Sequence, residues 1–264
     1  MCPIPGRRKI WREPMNEMLR MLEERKSVRT FTDRPITEEE VRAILNAAVQ
    51  APTAGNQQLY TILRVTDPER KKRLSESCDH QPFIAEAGLV LVFLADCLKW
   101  YRAFEAEGCH PRRPGPGDLM LAVVDAVVAA QNAVVAASSL GIGSCYIGDI
   151  MENIEEQRRI LALPGYVFPA AMVVFGYPTE QQKKREKPVR SDLDLVVSEN
   201  VYPSMDAERL RKMLEPKAGQ IPYTEWMRAF CRRKYHSEFS LEMSRSVEAA
   251  LEDFRNWRED HGNT

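Results

Sequence analysis

The 264 residues predict a three-layer domain of the α/β or α+β class. Strand and helix patterns alternate loosely along the chain. Two short apolar runs, at 89–94 and 170–175, have the length of strands buried on both faces. A long Ala-rich helix pattern covers 119–140 and needs a sheet to pack on. Hydrophobic residues at 44% and charged residues at 28% fit a globular chain and exclude disorder, collagen and a coiled coil.

Taken in order, Met15, Met18, Leu19 and Leu22 fall at i, i+3, i+4 and i+7, an amphipathic helix ending near Arg25. Thr37 and Glu40 form a capping box that opens a helix with Val41, Ile44, Leu45 and Ala48 on one face. That helix stops before Pro52. Residues 60–65 read as a strand, and Asp67-Pro68 starts a basic helix. Residues 110–118, rich in proline and glycine, read as a loop. The 119–140 pattern contains Asp125, Gln131 and Asn132 and is rich in Ala, which favours a buried helix over a membrane span. A shorter helix follows at 152–163, then the strand at 170–175, then helices at 206–215, 222–234 and 241–257. These last helices carry too little apolar surface to fold alone, so residues 206–264 are expected to pack on the 15–205 body.

Thirty-seven Lys+Arg against 38 Asp+Glu leave a net charge of −1, which excludes nucleic acid or a membrane as the obvious partner. The six cysteines include no C-x-x-C pair, so zinc and iron–sulfur sites are not expected. The first residues are basic with no apolar stretch behind them, and a reducing cytoplasm is the expected compartment. The four histidines have no sequence-level acid or nucleophile partner, so no catalytic side chain is assigned. A bound cofactor would do the hard chemistry.

Four segments could hold it. Arg25-Lys26-Ser27-Val28-Arg29 sets three cations and a hydroxyl at a helix end, which suits phosphate or simply the negative end of the helix dipole. Residues 51–58 offer amide side chains that match a ring of alternating donors and acceptors, or an ordinary turn. Residues 141–149 contain three glycines after a helix, so the dinucleotide fingerprint is rejected. Those glycines allow close approach to a planar ligand, and also a helix C-cap. Residues 183–190 are a cationic run, either a solvated face or a second source of phosphate-binding charge.

In this order, RKSVR (25–29), APTAGNQQ (51–58), GIGSCYIG (141–148) and EKPVR (186–190) resemble the motifs of the FMN-dependent nitroreductase family. The resemblance covers about 15–205. It implies an α+β fold, a three-layer α/β/α sandwich with a mostly antiparallel central sheet, in an intertwined homodimer. It implies tightly bound FMN and NAD(P)H as co-substrate, with ping-pong reduction of nitroaromatics, quinones or flavins through flavin N5. By the same resemblance Arg25, Lys26, Ser27 and Arg29 would hold the phosphate and ribityl chain, and Pro52, Thr53 and Asn56 the ring edge. Gln81 would contact the flavin, and Tyr146, Ile147, Gly148 and Asp149 would run along the ring. Lys187 and Arg190 would complete the phosphate site. Two departures stand out: lysine replaces the usual arginine or histidine at 26, and Val189 is inserted between Pro188 and Arg190. Phe83, Trp100, Tyr101 and Phe104 are slot walls or core, and Arg102, Arg112 and Arg113 are candidate readers of the nicotinamide ribose phosphate. Asp125, Asn132 and Ser139 recur every seven residues, a polar stripe facing either a second copy of the helix or the subunit's own interior. Dehalogenation, flavin fragmentation or enone reduction, or an FMN-binding redox sensor or store without turnover, are the alternative activities.

Overall fold

The computed structural model describes residues 16–255. Met15 of the first helix pattern, the end of the 241–257 pattern, Cys2 and His261 lie outside the described residues.

A four-stranded, wholly antiparallel sheet in the order β1-β2-β4-β3 forms the middle layer. Its strands are β1 (Tyr60–Arg64), β2 (Leu89–Asp96), β3 (Gly143–Ile147) and β4 (Val167–Gly176). Every residue of β2 and β4 is buried, as their continuous apolar runs require. Alternation along β2 feeds two cores. Leu89, Leu91, Phe93 and Ala95 face α2 (Glu38–Val49) and α6 (Pro116–Ser139). Val90, Val92 and Leu94 face α3 (Pro68–Ser77), α4 (Pro82–Glu86) and α7 (Ile154–Leu161). The three layers and the α+β class are as the sequence predicts.

The local signals are realised. Thr37 and Glu40 make a reciprocal capping box at α2, and Asp67 caps α3 with Pro68 in its first turn. α6 is long and apolar enough to cross a membrane, but its Ala122, Ala126, Ala129, Ala133 and Ala137 are fully buried in the core. Two of the three residues of its polar stripe point inward, while Ser139 is exposed and donates to the Ala136 carbonyl of the same helix at 2.7 Å. Asp125 is buried and bonds the 51–59 segment, and Asn132 Nδ2 donates to the Ala47 carbonyl on α2 at 3.1 Å. The first half of α6 exposes an apolar stripe, Met120, Leu121, Val124 and Val127, while Gln131 and Ser139 are exposed further along.

Several elements depart from the sequence reading. The glycine-rich segment after α6 is an edge strand, β3, because β4 offers it a pairing partner. α1 (Glu17–Glu24) buries no residue, so Met18, Leu19 and Leu22 form an apolar face without a core under it. The proline-rich loop ends earlier than predicted, as Pro116 opens α6. α4, α5 (Leu98–Ala106), α8 (Glu180–Lys184) and α9 (Leu193–Val196) are additional helices. Of the C-terminal helices, α10 (Ala207–Leu214) and α11 (Tyr223–Tyr235) bury nothing. α12 (Glu238–Leu251) packs on α7 and on a 3₁₀ turn, Gly148–Met151, and buries Ser246 and Ala250.

Candidate functional site

Three of the four sequence segments converge along β3. Past the C-cap at Arg25 the chain turns to run beside this edge strand, with the Val28 N–H donating to the Ser144 carbonyl at 2.9 Å and Ser27 bridging Ser144 in parallel. Gly143 is required here: a Cβ would stand 2.7 Å from Val28 Cγ2. The 183–190 segment packs on the same corner. Lys26 Nζ donates to the carbonyls of Lys183 (2.7 Å) and Arg185, and the Arg185 guanidinium donates to the Ser27 carbonyl. Lys187 Nζ donates to Glu23 O at 2.5 Å, at the end of α1.

The corner is electropositive and incompletely satisfied. Arg25 Nη1 is buried with no hydrogen-bond partner. Burial, with Arg190 and Arg25 close by, pushes the Lys187 ammonium below the ordinary lysine value. Burial pushes the Cys145 thiol up, while Arg29, Arg25 and Arg185 pull it the other way. Cations crowded this closely suit an anion carrying two charges. Arg185 belongs to this set and was missed in sequence, where it sits unmarked in the middle of a charge run. Lys26 and Lys187 spend donors on backbone carbonyls, which fixes the geometry of the corner. Arg29 is exposed, its N–H 3.4 Å from Gln182 Oε1.

Beyond the corner, β3 leads to Gly148. Tyr146 donates its hydroxyl to Gln131 Oε1 at 3.3 Å, and burial pushes its phenol up to about 12. Ile147 is buried, Asp149 half-buried and Gly148 exposed. A Cβ on Gly148 would meet nothing, so neither packing nor a left-handed backbone accounts for that glycine. Open space there fits a flat ligand laid against the backbone. Gln81 lies in the α3–α4 link with its side chain turned back onto the Cys78 carbonyl at 2.9 Å. Glu152, just after the turn, is buried with Oε1 unpartnered. Desolvation, with Asp149, Asp79 and Glu242 nearby, raises its carboxyl to about 7.

The fourth segment is elsewhere. Asp125 accepts the Thr53 hydroxyl and the N–H groups of Ala54 (3.0 Å) and Leu59 (3.1 Å). The Gln58 N–H donates to Thr53 Oγ1 at 2.7 Å, and the Trp100 indole to the Gln57 carbonyl at 2.7 Å. The loop is thus rigid, with Pro52 and Asn56 exposed and the Thr53 hydroxyl already engaged. It enters β1, on the opposite edge of the sheet from β3. The register sets Tyr60 level with Phe168 through Ala95, and Ile147 level with Met172, four residues on. Three strand spacings and four residues of rise separate the two by about 14 Å each way, or ~20 Å in all. One chain does not close this loop onto its own Gly148.

The other candidates are dispersed. Trp100 serves the loop and stacks near Phe104 at 5.6 Å, and Tyr101 packs on Tyr166. Phe83 packs against the core on the α3/α7 side. Arg112 is paired with Asp118 at 2.6 Å. Arg102 lines a separate cavity of about 450 Å³ with Lys99 and Leu63.

An antiparallel three-layer sandwich with a cationic corner beside a glycine turn defines a fold and a site that can be compared with known proteins. The profile of the Nitroreductase family matches residues 22–177, and the chain belongs to that family. It is 35% identical over 179 residues to an FMN reductase [NAD(P)H] of Bacillus subtilis, covering 66% of this chain and 70% of that protein. It is 34% identical over 205 residues to an oxygen-insensitive NADPH nitroreductase of Salmonella typhimurium, covering 77% and 82%. The structure of a hypothetical oxidoreductase from Bacillus subtilis superposes with a TM-score of 0.77 at 29% identity, covering 89% of this chain and 98% of that one.

Proposed function

We propose that the chain is an FMN-dependent oxidoreductase that draws electrons from NAD(P)H and reduces nitroaromatics, quinones or flavins in a ping-pong cycle. The observation that carries this reading is the buried, unpartnered Arg25 Nη1 in the cationic corner beside the open turn at Gly148. When bound, FMN supplies the two-electron redox centre that the chain's own side chains lack. Arg25, Arg29, Lys187 and Arg190 would hold its phosphate, with Lys26 and Arg185 bracing the corner through backbone carbonyls. Ser27 would stand by the ribityl chain. Tyr146, Ile147, Gly148 and Asp149 would line the ring and present fixed dipoles where charge builds on reduction. Pro52, Thr53, Asn56 and Gln81 complete the set expected from the family resemblance.

The homodimer belongs to this reading. The 51–58 loop and the Gly148 turn stand on opposite sheet edges, and α6 exposes Met120, Leu121, Val124 and Val127. A second copy packed on that stripe would both cover it and bring a loop to each turn.

The test uses flavin-stripped protein titrated with FMN and with riboflavin, which lacks the phosphate. FMN should bind much more tightly, and Arg25→Ala should erase roughly 10–100-fold of that preference, the worth of one or two charge-assisted bonds. Stopped-flow mixing with NADPH and with NADH should then bleach the bound flavin. Equal affinity for the two flavins, or no bleaching by either nucleotide, would overturn the proposal.

A further inference from the structure

The start of α7 has no side-chain cap from its own N-cap residue. Its N-cap, Asn153, sits in the left-handed region (φ 49°, ψ 46°) and makes no side-chain cap. Asn153 Nδ2 instead reaches the Ser77 carbonyl at 3.2 Å. The first N–H groups of a helix need acceptors, and here they come from α12, some 90 residues later. Glu242 Oε1 accepts the Asn153 N–H at 3.1 Å, and Ser246 Oγ accepts the Ile154 N–H at 2.9 Å. The same Ser246 hydroxyl donates to the Met151 carbonyl at 2.7 Å, the last residue of the 3₁₀ turn that begins at Gly148. Ser246 is fully buried. Arg245 ties α12 to α7 by pairing with Glu155 and orients Glu242 within its own helix, and Arg158 pairs with Asp253 just past the end of α12.

We infer that α12 is a strut for the turn at 148–154, and that Ser246 and Glu242 are positioning residues for the flavin edge at Gly148 and Asp149. This assigns a task to the C-terminal extension and rests on the FMN reading above. One hydroxyl ties the end of the turn to the start of α7, so the placement of Gly148 depends on a helix some 90 residues further along the chain.

Amide hydrogen exchange over residues 147–155 is measured first on flavin-free protein, then visible circular dichroism and FMN affinity on loaded protein. Ser246→Ala should speed exchange in this segment at least tenfold, alter the flavin dichroism and raise the Kd for FMN about 5–30-fold. Glu242→Ala should act the same way, whereas Glu242→Gln keeps an amide oxygen for the Asn153 N–H and should restore wild-type exchange and dichroism. This pair decides the matter even where Ser246→Ala fails to fold. Asp253→Asn loosens α12 away from the turn and is the control for plain destabilisation. The inference is overturned if Asp253→Asn changes exchange and dichroism as much as Ser246→Ala does, if Glu242→Gln is no better than Glu242→Ala, or if the flavin signal of Ser246→Ala matches wild type. A wild-type protein that binds no FMN would sink the proposed function, while the flavin-free exchange still judges the strut.

Discussion

Asp125→Ala tests the reasoning about the 51–59 segment most directly. The carboxylate is buried and accepts three donors: the Thr53 hydroxyl and the N–H groups of Ala54 and Leu59. Removing it leaves the Leu59 N–H without an acceptor in a buried setting, at about 1–3 kcal/mol, and weakens two further charge-assisted bonds. Release of a buried charge offsets part of that loss. The expected net cost is about 3–5 kcal/mol, which for a chain of this size lowers Tm by roughly 6–20 °C. Asp125→Asn retains one acceptor but turns an amide N–H₂ toward donors, and should cost about half as much. Thermal and urea unfolding followed by far-UV dichroism measure both variants. An Asp125→Ala protein within about 1 kcal/mol of wild type would refute the idea that this carboxylate holds the loop.

The two glycines flanking β3 should behave oppositely. Gly143→Ala drives a methyl into Val28 and should cost about 1–3 kcal/mol in urea unfolding. Gly148→Ala adds a Cβ that meets no atom, so flavin-free stability should stay within about 0.5 kcal/mol while the Kd for FMN rises at least tenfold. Glu152 is raised from 4.5 to about 7 in the folded chain, so the native state keeps its proton after the unfolded chain has lost it. Stability therefore falls as pH rises from 4.5 to about 7 and levels off above. Glu152→Gln should flatten that slope and stabilise the protein at pH 8 by roughly 1–3 kcal/mol, and parallel Tm–pH curves would count against it. Val124→Glu, on the exposed stripe of α6, should shift sedimentation from dimer to monomer, and an unmoved dimer would place the interface elsewhere.

Features written in a few adjacent residues were legible. The Thr37–Glu40 box, the Asp67-Pro68 start and the apolar run of β2 follow from local geometry and appear where expected. β3 was not, because GSCYI has neither alternation nor a long apolar run, and its strand conformation comes from pairing with β4. Periodicity aligned Asp125, Asn132 and Ser139 but could not say which side of the helix faced inward. Burial decided it, putting the Asp125 carboxylate inside and Val124 and Val127 outside. The four candidate segments were found by residue type, yet that one of them stands across the sheet from the rest needed strand order and register. Ser246 gave no signal and Arg185 showed only as one member of the 183–190 run, since each acts through a backbone atom far away in sequence.

The contacts of Lys26 with the carbonyls at 183 and 185 also set a clock on synthesis. The lysine and its first acceptor are 157 residues apart. At about 5–20 residues per second, a ribosome takes roughly 8–30 s to make the intervening chain. Until then the N-terminal cations have only β3 beside them, and a chain that stops short of the 183–190 segment cannot close the corner. Loading with a phosphate-bearing ligand would thus report that synthesis has passed the 183–190 segment and that this part has folded.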